Sequence, residues 1–437
     1  MYNLHNSQYL AKYFHINTAY KSIKKDSMKR QHKYVILGGG TTAGYAVKEL
    51  IEQKVDGENI AIISAENTIP MNRPPLSKGF LKEEMKEEET YIGDESFYNK
   101  NGVNLYLNSH AKEFNPNNNT ITIGENEVIE YQILLIATGA SPIILDIPGK
   151  DMDGIHYLRS VDDSKDIMKR AQKAKKAVVV GGSYIATETA AALHNHGVKV
   201  TMVYPEKHLL GNFAVEEMGV FFDQMFKDKG IELVADHEVT EFHGKRKVKE
   251  VRLKYGKEFD ADMVVVGVGV KPNIDIFEGT GLELYNGIVV NEYCETNFPN
   301  VFAAGDVARF PDKIYGGYRR IEHWENAFEM GKTAAHSMIG YHEPYVYIPF
   351  FFSDIFDFSY EFYGDASFGE EYIIRGDINK GNFSVLWFKE SALQAAFLSG
   401  KRPEEEIKKI KEWILNRTML NTELLERTEV PFEEAAV

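Results

Sequence analysis

The stretch Lys33-Tyr34-Val35-Ile36-Leu37-Gly38-Gly39-Gly40-Thr41-Thr42-Ala43-Gly44 decides the fold of the protein. Its apolar run breaks at three glycines and resumes with helical spacing, which predicts a strand, a tight turn and a helix. Gly38 permits the turn, Gly40 lets the backbone approach a pyrophosphate, and Ala43 stands where a third glycine usually allows close helix–strand packing. The helix N-terminus would offer free N–H groups and a positive dipole end to phosphates.

The same pattern recurs at Val178-Val179-Val180-Gly181-Gly182-Ser183-Tyr184-Ile185-Ala186, with a serine and an alanine where glycines are usual. Each copy is followed by a second strand and then an acid, Glu66 in the first and Glu206 in the second. An acid at this place in a dinucleotide fold is suited to bind ribose hydroxyls. Two such units predict binding sites for two dinucleotides.

Composition and charge exclude several classes of protein. The net charge of −15 over 437 residues argues against a general nucleic-acid binder. The one cysteine, Cys294, excludes an intrachain disulfide framework and a redox-active cysteine pair, and it fits a reducing, cytoplasmic location. No apolar run reaches 18 residues, so no transmembrane helix is predicted. The histidines are scattered, and we expect no metal site.

Further along the chain, three stretches place functional side chains next to predicted strands or turns. Asn72 to Gly79 holds an arginine and a lysine around two prolines, and Ala137-Thr138-Gly139 ends a buried strand. Gly305-Asp306 ends another strand. A carboxylate at a strand's C-terminal end points into the crevice where open α/β sheets bind ligands.

Two local predictions concern the region between these stretches. The acidic residues 81–95 predict a solvent-exposed helix. Three short segments predict antiparallel strands: Leu105–Leu107, Glu113-Phe114 and Thr120–Ile123, with an asparagine-rich turn at 115–119.

The ordered motifs resemble one family. Gly38-x-Gly40-x-x-Ala43, Arg73-Pro-Pro-Leu-Ser-Lys78, Ala137-Thr-Gly139, the second glycine turn, Val266-Gly-Val-Gly269, Gly305-Asp306 and Glu322-His323-Trp324 occur in family order. From residue 33 to about residue 400, the chain is similar to the two-dinucleotide flavoprotein reductases. The branch it resembles holds ferredoxin reductases, apoptosis-inducing factor and monodehydroascorbate reductase.

The resemblance implies an α/β fold with two Rossmann-like, three-layer dinucleotide-binding domains and a small α+β C-terminal domain. The NAD domain, residues 146–267, would be inserted into the FAD domain, residues 28–145 and 268–342, and the C-terminal domain would cover 343–437. Residues 1–27 are basic without a compact apolar core. We expect them to be a disordered leader before Met28, with a targeting segment as the alternative.

The resemblance also implies cofactors and the residues that bind them. FAD would lie on the first unit and NADH on the second. The FAD residues would be Gly38, Gly40, Thr41, Ala43, Glu66, Arg73, Lys78, Ala137, Thr138, Gly139, Gly305, Asp306 and Trp324. The NAD residues would be Gly181, Gly182, Tyr184, Ile185, Glu188, Glu206, Gly269, Glu322 and His323.

Lys78 and Glu188 are the catalytic candidates, because in the family these positions form a pair beside flavin N5. A lysine held there by a carboxylate would favour the anionic reduced flavin. Cofactor choice can be argued from the residues themselves. Glu206 would accept hydrogen bonds from ribose hydroxyls and repel a 2′-phosphate, which favours NADH over NADPH although Lys207 follows it.

The expected activity is hydride transfer from NADH to FAD, followed by one-electron transfer to an acceptor. A ferredoxin- or rubredoxin-type protein is the first candidate, and a homodimer is left open. A monodehydroascorbate or quinone reductase is the alternative, as is an NADH-sensing flavoprotein with little turnover. Phe328 and Phe352 stand where monodehydroascorbate reductases typically carry an arginine and a tyrosine, which argues against an anionic radical as substrate.

Overall fold

The computed structural model describes residues 29–435, except for the side chains of Lys29 and Glu433; the predicted leader at residues 1–27 lies outside the described residues. The first unit begins with strands and helices in alternation. Its strands are β1 (Lys29–Leu37), β2 (Ile60–Ile63), β3 (Asn104–Tyr106), β4 (Ala111–Asn115), β5 (Thr120–Ile123), β6 (Glu127–Ile136) and β7 (Ala140–Pro142), and its helices are α1 (Thr41–Glu52) and α2 (Glu95–Lys100).

The second unit has the same plan. Its strands are β8 (Ile155–Tyr157), β9 (Lys176–Val180), β10 (Lys199–Val203), β11 (Glu232–Val234), β12 (Val239–Gly244), β13 (Val248–Leu253), β14 (Glu258–Asp260) and β15 (Met263–Val266), and its helices are α3 (Val161–Ala171), α4 (Tyr184–Asn195) and α5 (Glu216–Asp228). The chain then returns to the first unit through β16 (Val270–Pro272), β17 (Ile288–Val289), β18 (Val301–Ala303), β19 (Ala308–Pro311), β20 (Tyr318–Arg319) and α6 (Trp324–Met338).

The C-terminal unit is an antiparallel sheet followed by helices. Its strands are β21 (Phe350–Ile355), β22 (Phe358–Gly364), β23 (Glu371–Asp377), β24 (Asn382–Lys389) and β25 (Ala392–Ser399), and its helices are α7 (Glu404–Asn416) and α8 (Thr422–Glu426). The sheet order is β21-β22-β25-β24-β23.

The sheet topology confirms the predicted fold, with the second unit inserted into the first. The first sheet has the order β3-β2-β1-β6-β5-β4, and β18 pairs in parallel with β6 after the whole second unit has intervened. The second sheet is fully parallel, in the order β11-β10-β9-β15-β8. We propose the sequence-derived bounds for the units, since 145/146, 267/268 and 342/343 all fall in connections between these elements.

The C-terminal sheet packs on the second unit, not only on the first. Phe222 and Phe226 of α5 lie in the same buried hydrophobic cluster as Phe383 and Phe397 of the C-terminal sheet. This shared core joins the two units, because aromatic side chains bury the largest apolar areas.

Two local predictions are wrong. Residues 81–94 contain no α-helix: they hold a short 3-10 turn at Glu87–Thr90, and α2 begins only at Glu95. Ile92 instead donates its N–H to the carbonyl of Pro70, and Tyr91 forms a bridge with Met71, so backbone pairing with a distant segment overrides helix propensity. The predicted strand at Leu105–Leu107 is β3, which pairs in parallel with β2 and not antiparallel.

Candidate functional site: a cleft between two glycine turns

The first glycine turn leaves space for a ligand, but Gly38 and Gly39 have no space for a side chain of their own. Gly38 has φ +135°, and a Cβ atom there would lie 2.0 Å from the carbonyl oxygen of Ala137. A Cβ atom at Gly39 would lie 2.1 Å from Ser64 Oγ. Gly40 is the N-cap of α1 and provides no side-chain cap, so the first N–H groups of the helix need another acceptor. This geometry fits a dinucleotide pyrophosphate.

The second turn repeats this geometry at α4. Gly181 has φ +120°, and a Cβ atom there would lie 2.3 Å from the carbonyl oxygen of Gly267. Ser183 is the N-cap of α4 and makes no side-chain cap bond. The half-exposed side chain of Ile185 follows in the first turn of the helix. A second pyrophosphate therefore has an equivalent site.

Both turns open into one cleft of about 860 Å³. All the predicted site residues line this cleft except two, Ala43 and Gly305. Ala43 was expected to face the pyrophosphate, but its side chain is fully buried in the core beneath α1. Gly305 packs closely against Thr42, which lines the cleft: a Cβ atom at Gly305 would lie 2.2 Å from Thr42 Oγ1.

Glu66 lies in the cleft beyond β2 and is held by Arg73. The guanidinium Nη1 of Arg73 donates to Glu66 Oε2 at 3.1 Å and to the backbone carbonyl of Arg159 at 2.8 Å. Thr41 uses its hydroxyl to bond the carbonyl of Met71, so its backbone N–H is the group left for a phosphate. The acid is thus fixed near the first glycine turn, as a ribose-binding group needs to be.

Arg159 is a cleft residue that sequence reasoning missed. Its Nη2 donates to Asp306 Oδ2 at 2.8 Å, and it lies 3.1 Å from the position a Cβ atom would take at Gly139. The available signal was its position: it follows β8 within two residues, and side chains after parallel strands enter the ligand crevice. Asn273 was also missed. Its amide donates to the carbonyl of Thr138 at 2.8 Å.

Glu206 follows β10 and lines the cleft beside the second turn. The neighbouring Lys207 is directed elsewhere: its Nζ lies 2.5 Å from Oε1 of Glu216, in the first turn of α5. The cation that complicated the choice of cofactor is therefore paired with another acid.

Lys78 and Glu188 form a buried ion pair inside the cleft. Their side chains are only 12% and 3% exposed, respectively. Lys78 directly follows the 3-10 turn Pro74–Ser77, and Glu188 lies one turn inside α4. The pair thus joins the two units between their glycine turns.

Glu322, His323 and Trp324 line the cleft at the start of α6. Burial raises the pKa of Glu322, although Nη1 of Arg320 lies 2.6 Å from its Oε1. Burial lowers the pKa of His323 to about 4, so the ring is neutral near pH 7. Trp324 donates from Nε1 to Asn72 Oδ1 at 2.8 Å, which fixes the plane of the indole.

Three half-buried rings extend from the cleft toward the surface, and we call them the aromatic rim: Trp324, Phe328 and Tyr45. Trp324 and Phe328 are stacked with centroids 5.8 Å apart, and Phe328 meets Tyr45 edge-on at 4.3 Å. Lys332 Nζ lies 5.0 Å from the Phe328 ring and Lys48 Nζ lies 5.9 Å from the Tyr45 ring. The rim is therefore apolar with cations beside it.

Residues 32–331 match the family model "Pyridine nucleotide-disulphide oxidoreductase", which covers more than half of the chain. The chain belongs to this family. Residues 348–432 match a second model, the C-terminal domain of the monodehydroascorbate reductase 3-like type. This pyridine nucleotide-disulphide oxidoreductase is an FAD-dependent NADH oxidoreductase.

Similar proteins of this family include plant enzymes. Monodehydroascorbate reductase of Pisum sativum is 36% identical over 405 residues, which cover 86% of this chain and 93% of the relative. Monodehydroascorbate reductase 2 of Arabidopsis thaliana is 37% identical over 404 residues, with 86% and 92% covered. Other relatives are named peroxisomal, such as the Arabidopsis thaliana enzyme 4 at 36% identity.

Solved structures of similar fold include two reductases of electron-carrier proteins. Putidaredoxin reductase, in a covalent complex with putidaredoxin, has a TM-score of 0.87 at 26% identity, covering 92% of this chain and 97% of its own. A ferredoxin reductase from Rhodopseudomonas palustris has a TM-score of 0.87 at 27% identity, covering 93% and 100%.

This family member lacks the dithiol that the family name suggests. Cys294 is the one cysteine of the sequence; it is fully buried in the core of the first unit and does not line the cleft. Burial raises the pKa of its thiol well above the usual range, so it stays protonated. Within residues 29–435, no group of three or more His, Cys, Asp or Glu side chains could hold a metal ion, and no helix is long and apolar enough to cross a membrane.

Proposed function

We propose that this protein moves electrons from NADH to a small carrier protein of the ferredoxin or rubredoxin type. The observation that carries the proposal is the Lys78–Glu188 pair, which lies between two glycine turns in a cleft with no cysteine in its lining. FAD, when bound, accepts a hydride from NADH and releases the two electrons one at a time. With no dithiol to receive an electron pair, a one-electron acceptor fits this site best.

In this proposal the first turn holds FAD and the second holds NADH. Glu66 and Glu206 would bind the ribose hydroxyls of the two cofactors, and Asp306 the ribityl chain of FAD. Lys78 would lie beside flavin N5, where its ammonium group stabilises negative charge. Glu188 keeps Lys78 in that place, since a buried ammonium and a buried carboxylate are costly unless paired.

The aromatic rim is the proposed acceptor face. It extends outward from Trp324, and the cation beside each of its outer rings suits a carrier with acidic groups around its redox centre. A partner docked there would approach the flavin end of the cleft. The solved structures support this proposal, since one of them is a reductase in a covalent complex with its carrier protein.

Monodehydroascorbate is the second candidate acceptor, because the plant relatives and the C-terminal family model carry that name. The side chains around the rim argue against it. Phe328 packs against Trp324 and Tyr45, and Phe352 lies against Lys78 with 5.3 Å between Nζ and the ring centroid. Neither phenylalanine can bond the oxygens of an anionic radical.

The test is to purify the protein, confirm bound FAD, and compare NADH-driven reduction of a ferredoxin, a rubredoxin, monodehydroascorbate, a quinone and oxygen. We expect the carrier proteins to give the highest kcat/KM. A clear preference for monodehydroascorbate would favour the second candidate. Slow turnover with every acceptor would favour an NADH-sensing role, and absence of bound FAD would overturn the proposal.

We also propose a cytoplasmic location, supported by the single buried cysteine. Some relatives are named peroxisomal, so the location is best tested by fractionation. Self-association into a homodimer is a further proposal, and sedimentation of the FAD-loaded protein would test it.

A further inference from the structure

The carboxylate of Glu188, in the second unit, receives hydrogen bonds from both of the other units of the protein. Its Oε2 accepts from Ser77 Oγ at 2.5 Å, and its Oε1 accepts from Lys78 Nζ and from Ser353 Oγ at 2.6 Å. Ser77 and Lys78 belong to the first unit, Glu188 to the second, and Ser353 to β21 of the C-terminal unit. A single acid therefore meets donors from segments far apart in the sequence.

This network is shielded from water. The side chain of Glu188 is 3% exposed, and Ser77 and Ser353 are fully buried. A buried carboxylate needs hydrogen-bond donors for its lone pairs, since burial removes its bound water and an unmet lone pair then costs free energy. Here the two serine hydroxyls supply the donors that Lys78 alone cannot.

Strand β21 touches both members of the ion pair with consecutive residues. Ser353 bonds Glu188, and the ring of Phe352 lies against the ammonium group of Lys78. Ser353 itself does not line the cleft, although Phe350, Phe351 and Phe352 do. Ser353 can therefore act on the cofactors only indirectly, and its hydrogen bond to Glu188 is its direct link to the ion pair.

We propose that Ser353 is a positioning residue through which the C-terminal unit takes part in flavin reduction. Its hydroxyl holds the Glu188 carboxylate in the rotamer that keeps Lys78 directed at the flavin. The C-terminal unit then takes part in the NADH half of the reaction. This inference rests on the role given to Lys78 in the proposed function.

The surroundings of Ser353 are mostly aromatic, so its hydroxyl needs a hydrogen-bond partner such as Glu188. Its partner across the strand pair is Tyr360, which is fully buried, and the aromatic residues Phe351 and Phe362 stack with centroids 4.9 Å apart in the same strand pair. A hydroxyl among such rings costs free energy unless it is hydrogen-bonded. The Ser353 hydroxyl donates to Glu188 Oε1 at 2.6 Å, and the Tyr360 hydroxyl is a second polar neighbour.

The experiment compares four FAD-loaded variants: Ser353→Ala, Ser353→Thr, Lys78→Met and the double variant Ser353→Ala/Lys78→Met. Stopped-flow absorbance gives the rate of flavin reduction by NADH, and titration with NAD⁺ gives its Kd and the long-wavelength band of the reduced protein. Thermal unfolding is followed in parallel to report folding. Ser384→Ala is the matched control, since Ser384 is also fully buried in the C-terminal sheet but is bonded by Arg402.

We expect Ser353→Ala to slow flavin reduction about tenfold and to weaken the long-wavelength band, with the Kd for NAD⁺ unchanged. Ser353→Thr should restore most of the rate, because it keeps the hydroxyl. In the Lys78→Met background, Ser353→Ala should have no further effect, since the two residues act through one carboxylate. Ser384→Ala should match the wild type.

The inference is overturned if Ser353→Ala reduces flavin at the wild-type rate, or if its effect simply multiplies with that of Lys78→Met. It is also overturned if Ser384→Ala slows reduction equally, which would indicate general loosening of the sheet. A different result, a wild-type rate in Lys78→Met itself, would overturn the proposed role of Lys78 and not only that of Ser353.

Discussion

Arg159 Nη2 donates to Asp306 Oδ2 at 2.8 Å, although the two residues are 147 positions apart in the sequence. Asp306 lies in the 3-10 turn that follows β18, and Arg159 precedes the first helix of the inserted unit. The side chain of Asp306 is only 9% exposed, so its charge needs this partner. The contact therefore ties the inserted unit to the part of the cleft that we propose for FAD.

Arg159→Ala should weaken FAD binding about tenfold, because it leaves the Asp306 carboxylate uncompensated beside a negatively charged cofactor. Arg159→Lys, which keeps the charge, should lose less. Equilibrium titration of the apoprotein with FAD, followed by flavin fluorescence, measures the effect. Arg309→Ala is the control, since Arg309 packs between two tyrosine rings away from the cleft. Equal FAD affinity in Arg159→Ala and wild type would contradict the prediction.

The sequence predicted the glycine turns because their signal is local. Only glycine can occupy Gly38 and Gly181, where φ is positive and a Cβ atom would strike a carbonyl oxygen. The spacing of strand, turn and helix follows from the same local chemistry. The order of the motifs then indicated which turn belongs to which cofactor.

The sequence could not predict features that depend on distant segments. The position of Arg159 after β8 is a local signal, but its partner Asp306 is known only once β18 has returned to the first sheet beside β6. Residues 81–95 have the composition of an acidic helix, but Thr90 and Ile92 hydrogen-bond to Asn72 and Pro70 instead, and α2 begins only at Glu95.

Charge reversal beside the aromatic rim should slow reduction of an acidic carrier protein. Lys48→Glu/Lys332→Glu should raise the KM for a ferredoxin about tenfold at low salt, and the difference from wild type should shrink as salt is added. Reduction of ferricyanide serves as the control, because a small acceptor does not need the docking surface. An unchanged KM at low salt would indicate that the carrier docks elsewhere.

His323 should make the protein less stable as the pH falls below neutral. Its pKa is lowered to about 4 by burial, against 6.5 in the unfolded chain, so between these values the unfolded state binds a proton that the folded state does not. Stability is therefore full above about pH 6.5 and falls toward pH 4, by at most about 1.4 kcal/mol per pH unit from this residue.

His323→Gln should remove that part of the slope, as measured by urea unfolding at a series of pH values between 4 and 7. The matched control is His342→Gln, since that side chain is half exposed on the surface. If the two variants show the same pH dependence, the loss of stability on acidification arises from other groups.

Glu206→Ala should erode the preference for NADH over NADPH. The carboxylate lies at the end of β10, where it would bind the ribose hydroxyls and repel a 2′-phosphate. We expect the ratio of kcat/KM for NADH to that for NADPH to fall about tenfold. An unchanged ratio would show that Glu206 does not contact the ribose.

Glu216→Gln should also raise the use of NADPH, through a cation rather than through the ribose acid. Lys207 is paired with Glu216 at 2.5 Å, and both side chains are more than half exposed, so the pair opens readily once the acid is neutral. The freed ammonium can then approach a 2′-phosphate, and kcat/KM for NADPH should rise about threefold with NADH unaffected.

Glu217→Gln is the matched control, because Glu217 follows in the same helical turn and binds Tyr372 instead. Combining Glu216→Gln with Glu206→Ala should give a larger rise than either change alone, since one removes repulsion and the other adds attraction. A Glu216→Gln variant that resembles Glu217→Gln would show that Lys207 does not reach the cofactor.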